Sequence, residues 1–385
     1  MRRALAGARI FDGTRFLDGA ALVLDEANVA AVVPEAALPA GLPVARVSGI
    51  LAPGFVDLQV NGGGGRMVDG NADLAALRHI CAVHRGLGSA AILPTLITDT
   101  PAATAAVIDA GLAAAAAQVP GFLGLHLEGP HLDPRRRGAH DPGLIRAMTD
   151  EDLARLCAAA RRLPALMVTL APEAATPAQI AALAAAGAVV SLGHSDCDYD
   201  VAMTAFRAGA RCATHLFNAM SQVGSRAPGL AGAVLAGDTA AGLIADGIHV
   251  HPATLRLALA ARTDGLFLVS DCMGFAGTDL TELALNGRRV LRRGGRLTLE
   301  DGTLAGADLT LPQAVGVLVD RVGVPLERAL AMAARIPAAV MGMDRLGRIA
   351  PGLRADLVHL SAQGQIRGVY LDGERQTGLH RAGSG

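Results

Sequence analysis

The 385-residue chain has no lysine, so all 34 of its basic side chains are arginine. This excludes a Walker-type phosphate-binding lysine, a lysine Schiff base and a carboxylated lysine bridging two metal ions. A codon bias in the source genome accounts for the absence and for the richness in Ala, Gly and Arg, and the chemical exclusion holds whatever the cause. Tryptophan is also missing and aromatics make up only 3% of the residues, which argues against stacking platforms for bases or sugars. Charge of either sign is in no excess: 34 basic against 35 acidic residues gives −1, so nucleic acid and anionic membrane are not expected partners. The five cysteines (Cys81, Cys157, Cys197, Cys212, Cys272) are odd in number and form no CxxC pair, which reads as a reduced, cytoplasmic protein. Long hydrophobic runs are lacking too. The stretch 112–119 is too short to span a bilayer, and the N-terminus reaches Asp12 before an export signal forms.

What is present is a repeating pattern of short apolar strands and alanine-rich helices, the signature of an α/β fold with a parallel sheet. Eight strands are predicted at 54–60, 90–97, 122–128, 166–170, 188–193, 212–217, 241–246 and 266–271, with helices starting near Asp73, Thr100, Thr149, Thr176, Asp198, Gly229 and His251. Thr149 ahead of two acids and Thr176 ahead of a proline are helix-start signals. Eight β/α units over some 270 residues fit a TIM-like (β/α)8 barrel better than an open Rossmann sheet, and no G-x-G-x-x-G follows the early strands. The ends read as short strands and turns, each too small to bury a core alone. We therefore expect residues 1–51 and 345–385 to combine into one β-sandwich domain beside a barrel at 52–344. Asn286-Gly287 and Gly294-Gly295 mark a hairpin insertion at 278–306, followed by a last helix around 309–322.

Function in a barrel gathers at the C-terminal ends of the strands, where this chain places its unusual polar residues. One carboxylate and two imidazoles, Glu128, His194 and His215, follow strands three, five and six. Each histidine alone reads as structural or solvent-facing. Together the three form a divalent-metal set with a position left open for water, as catalytic zinc sites require. Cys197, three residues past His194, is the competing ligand but falls in the next loop or helix. Asp271, after strand eight, reads either as a cap or ion-pair partner, or as a general base beside an activated water. His140, Arg226 and His249 lie on loops after strands; together they suit a polar, anionic substrate, with Arg226 offering a bidentate fork to phosphate.

The segments PGFVD (53–57), GLHLEGP (124–130), SLGHS (191–195), ATHLFNAM (213–220), PGLAG (228–232), IADGIHV (244–250) and TLAG (303–306) occur in that order. In combination they resemble N-acetylglucosamine-6-phosphate deacetylases of the amidohydrolase superfamily over nearly the whole chain. The resemblance implies a metal-dependent barrel with a split β domain in a homodimer. It puts the metal ligands on Glu128, His194 and His215 and the catalytic aspartate on Asp271. It puts substrate contacts on Ala139, His140, Asn218, Ala219, Arg226, His249, Leu304, Ala305 and Gly306. Many amidohydrolases carry His-x-His after strand one for a second metal; here those positions are Gln59 and Asn61, weak ligands, so one ion per subunit is expected. Zinc is the first choice, with iron, cobalt and manganese compatible. The implied reaction is hydrolysis of the N-acetyl amide of N-acetylglucosamine 6-phosphate to glucosamine 6-phosphate and acetate. The alternative is the N-acetylgalactosamine 6-phosphate epimer or another N-acyl amino sugar phosphate; a cyclic-amide or N-acyl-amino-acid substrate is more distant.

Overall fold

The computed structural model describes residues 2–376. Eight strands, Phe55–Val60, Ser89–Ile97, Leu125–Glu128, Leu166–Leu170, Val189–Leu192, Cys212–Ala213, Ala240–Leu243 and Leu266–Leu268, form one parallel sheet in chain order. The sheet curls into a nearly closed TIM-like barrel, its first and last strands meeting through a single bridge, Val60–Cys272. Thr149 and Thr176 cap helices Asp150–Arg162 and Pro177–Ala185 as read from the sequence, each in a reciprocal capping box with Asp152 or Gln179. The strands are buried on both sides, which is why they read as apolar runs rather than alternations.

Three expectations change in detail. The third strand starts at Leu125 rather than 122, because Gly124 has φ +151 and a Cβ there would lie 2.1 Å from the Ala165 carbonyl oxygen. The sixth, seventh and eighth strands stop at Ala213, Leu243 and Leu268 rather than 217, 246 and 271. His215, Phe217, Ala219 and Asp271 have positive φ values of 30, 76, 50 and 48, which turn the chain out of the ladder and lift these residues onto the barrel mouth. The helix expected to be last is Leu311–Val317 with a wider turn at Leu318–Val322, but two more helices, Leu326–Ala333 and Arg335–Val340, follow it.

Strands from both ends of the chain build two further sheets. In the larger, Ile50–Pro53 lies between Arg9–Phe11 and Leu357–Leu360, pairing antiparallel with the latter from Leu357–Pro53 to Leu360–Ile50. The smaller contains Arg2–Ala6, Ala20–Asp25, Asn28–Pro34 and Val44–Arg46, and Ile10, Leu22, Leu24 and Leu357 pack in the shared core. Residues 377–385, part of the expected β domain, lie outside the described residues. The insertion is more than one hairpin: Glu282–Leu285, Arg288–Arg293, Arg296–Leu299 and Leu304–Ala307 make a four-stranded antiparallel sheet. Its first two turns carry positive φ at Asn286 and Gly287 and at Gly294 and Gly295, the two-residue hairpin geometry. Met273, Phe275, Leu285, Val290 and Leu297 give it a core of its own.

Candidate active site

A cavity of about 270 Å³ opens at the C-terminal end of the barrel. Its wall contains Asn61, Glu128, Ala139, His140, His194, His215, Asn218, Ala219, His249, Asp271 and the Leu304-Ala305-Gly306 turn. All but three of the residues singled out from the sequence thus share one space; one of the three, Cys197, is buried in the loop after the fifth strand. Gln59 is buried just behind it, and Arg226 stands exposed on the loop after the sixth strand, outside the lining. That loop, 222–227, projects into solvent, and Arg226 makes no hydrogen bond or ion pair among the described residues.

At the cavity floor Glu128 Oε1 lies 3.2 Å from His194 Nε2 and 3.1 Å from His215 Nε2, with all three residues buried. The Arg136 carbonyl, 2.8 Å from His194 Nδ1, can only accept, so Nδ1 carries the proton and Nε2 of the neutral ring is a lone pair. A lone pair pointed at a carboxylate oxygen repels it unless a cation lies between them. The donor set, one oxygen and two imidazole nitrogens, therefore fits a divalent ion. Thr98 fixes a second ring in the opposite tautomer: its backbone N–H donates to His140 Nδ1 at 3.3 Å, which leaves Nε2–H facing Glu128 Oε2 at 3.9 Å. On the opposite wall Asp246 Oδ2 accepts from His249 Nδ1 at 2.6 Å while its Oδ1 accepts the amides of Ile248 and His249.

A profile of the amidohydrolase family matches residues 50–375, and one of the NagA composite domain matches residues 3–51. The N-acetylgalactosamine-6-phosphate deacetylase of Shewanella sp. (strain ANA-3) is 42% identical over 85% of this chain and 83% of its own length. The N-acetylglucosamine-6-phosphate deacetylase of Haemophilus influenzae is 32% identical over 97% of this chain and 99% of that protein. Among solved structures, the N-acetylglucosamine-6-phosphate deacetylase of Pasteurella multocida superposes with a TM-score of 0.94 at 34% identity, covering 98% of this chain and 100% of that one. The chain belongs to the amidohydrolase family.

In this amidohydrolase the amides that stand where a second metal would be expected are turned to other partners. Gln59 Nε2 donates to Glu128 Oε1 at 3.1 Å, and Asn61 Nδ2 donates to Asp271 Oδ1 at 2.7 Å. Burial alone would raise the proton affinity of Glu128, but the close approach of His194 and His215 holds its carboxyl well below the usual range. Asp271 goes the other way: burial, and after it the negative charge of Glu128, push it up to about 6. Two carboxylates in one cavity are thereby driven apart, one kept ionised and one made basic. His140 is held neutral, its basicity depressed first by burial and then by His194. Several lining residues escaped the sequence: Ile97, Ile244, Met273, Leu285 and Thr303 carry no chemical signature; behind the lining, Thr98 and Asp246 act through a histidine each. Of these only Asp246 was legible, as an acid three residues before a histidine.

Proposed function

We propose that this amidohydrolase hydrolyses the N-acetyl amide of N-acetylglucosamine 6-phosphate, releasing glucosamine 6-phosphate and acetate. The convergence of Glu128, His194 and His215 on one point, in the same cavity as the basic carboxylate of Asp271, carries this reading. Glu128, His194 and His215 would hold one divalent ion per subunit, zinc by preference. Such an ion polarises the acyl carbonyl and acidifies water. Asp271, ionised above about pH 6, takes a proton from the attacking water and returns it to the leaving amine nitrogen. Asn61 holds its carboxylate in line for both transfers. His140 offers its Nε2–H to the acyl oxygen, and its neutrality spares the site a competing positive charge. His249 and the backbone at Asn218-Ala219 and Leu304–Gly306 orient the sugar. Arg226 meets the 6-phosphate at the mouth, where its planar fork can pair bidentately with the anion.

The 42% identity to the Shewanella enzyme favours a second reading, the galacto epimer at the same site. Acetate release from both epimeric sugar phosphates, measured with metal analysis of the same sample, decides between them. Loss of acetate release from both, with metal bound, refutes the function. We assign residues 1–51 and 345–385 to one β domain and 52–344 to the catalytic barrel. We place the enzyme in the cytoplasm as a homodimer: its five unpaired, buried cysteines suit a reducing compartment, and light scattering of the purified protein tests the dimer. No helix among the described residues is long and apolar enough to cross a membrane.

A further inference from the structure

The barrel seam between the eighth and first strands lacks a regular ladder. At the Val60–Cys272 bridge two backbone bonds cross it: Asp271 N–H to the Gln59 carbonyl at 3.0 Å and Asn61 N–H to the Cys272 carbonyl at 2.9 Å. Asp57 sits in this seam, fully buried. Its Oδ1 accepts the amide of Gln59 at 3.3 Å and the amide of Ser270 at 3.1 Å, one from each side. Its Oδ2 is buried without a partner. Burial pushes the carboxyl up to about 7 against the hydrogen bonds from Ser270. An orphaned polar atom in a dry barrel wall is destabilising by about 1–3 kcal/mol, so an apolar residue would serve better here if filling space were the only task.

The two residues whose backbones Asp57 joins both lead to the reacting centre. Gln59 donates its side-chain amide to Glu128. Ser270 immediately precedes Asp271, whose φ of 48 is a left-handed conformation uncommon outside glycine, asparagine and aspartate. We propose that Asp57 is a positioning residue for the hydrolytic site: its Oδ1 ties the backbone of Gln59 to that of Ser270 and so sets the spacing between Glu128 and Asp271. The inference rests on the roles assigned to those two carboxylates under the proposed function.

Asp57→Asn keeps an acceptor for both amides, whereas Asp57→Ala removes it. In the metal-loaded enzyme, Asp57→Asn is expected to retain kcat within about threefold. Asp57→Ala is expected to lower kcat by about 10–100-fold with KM and bound metal nearly unchanged; Asp57→Ser takes its place if the alanine variant does not fold. In a double-mutant cycle with Asp271→Asn the loss from Asp57→Ala shrinks to about threefold or less, since the aim of an absent carboxylate no longer matters. A second readout needs no turnover: with Co²⁺ as the bound ion, the visible spectrum shifts in Asp57→Ala and matches wild type in Asp57→Asn. Unchanged kcat in Asp57→Ala, a tenfold loss in folded Asp57→Asn, full multiplication of the two losses, or identical Co²⁺ spectra in all three proteins overturns the proposal. Wild-type protein that releases no acetate overturns the proposed function instead, and the Co²⁺ spectra still decide the role of Asp57.

Discussion

Replacing Asn61 by alanine separates the hydrogen bond to the general base from everything else in the cavity. The bond is short, 2.7 Å from Nδ2 to Asp271 Oδ1, and both residues are buried, at 2% and 9% exposure. Hydrogen bonds to a charged group contribute about 1.5–3 kcal/mol, and every 1.4 kcal/mol is about tenfold. If the bond acts mainly in aiming the ionised carboxylate, kcat falls by about 10–100-fold. Folding stability should change little, because the substitution also removes Asn61 Oδ1, a buried acceptor with no partner. Bound metal should stay at one ion per subunit, since Asn61 is not among the converging ligands. Losing its donor also raises the proton affinity of Asp271 further above its already elevated value, so the acid limb of the kcat profile moves to higher pH. Steady-state acetate release across pH, with elemental analysis of each sample, measures all of this. A kcat within twofold of wild type, or loss of metal in proportion to loss of activity, would refute the reasoning; the second outcome would make Asn61 a ligand after all.

Asp271→Asn removes the proton carrier but keeps its shape, and kcat should drop about 10²–10⁴-fold with metal retained; near-normal turnover excludes Asp271 as the base. Glu128→Gln should strip the metal, since it leaves two imidazoles and a weak amide, and equilibrium dialysis against Zn²⁺ reads the loss directly. Arg226→Ala should raise KM for the phosphorylated sugar about tenfold or more and leave that of an unphosphorylated N-acetyl sugar unchanged; equal effects on both remove Arg226 from phosphate binding. Asp152, paired with Arg146 and bound to the Thr149 cap, has its proton affinity lowered mainly by Arg146. It stabilises the fold above its unfolded pKa near about 4 and loses that contribution as pH falls through its lower folded value. Asp152→Ala should therefore cost about 1–2 kcal/mol at neutral pH, shrinking toward zero in acid, as denaturant midpoints measured at both ends will show.

The parts of the molecule legible in the sequence are those where one residue type answers one local need. Thr149 and Thr176 sit where a helix start requires an acceptor, and Asn286-Gly287 sits where a hairpin requires positive φ. Glu128, His194 and His215 stood out because polar residues after buried strands have few other uses, and the fold brings them to one point. The roles of Gln59 and Asn61 were not legible. An amide can ligate, donate or accept, and only the positions of Glu128 and Asp271 decide that both donate. Arg226 reads as a substrate contact from the resemblance, yet the exposed loop carries it outside the lining. The short sixth and eighth strands were missed because apolar composition does not announce where φ turns positive, as it does at His215 and Asp271. The helices Leu326–Ala333 and Arg335–Val340 were missed because, at eight and six residues, each offers only about two turns in which a period could show.

Strand Ile50–Pro53 pairs with Leu357–Leu360, and this has a consequence in time. Residue 357 leaves the ribosome 304 residues after residue 53 (357 − 53), which at about 5–20 residues per second is roughly 15–60 seconds later. Throughout that interval an apolar strand edge belonging to the first-made part of the protein has no neighbour. Such an edge invites pairing with other chains. Premature termination before Leu357 would leave it open permanently, so nascent fragments of this enzyme should be strong clients for chaperones even when the barrel itself has formed.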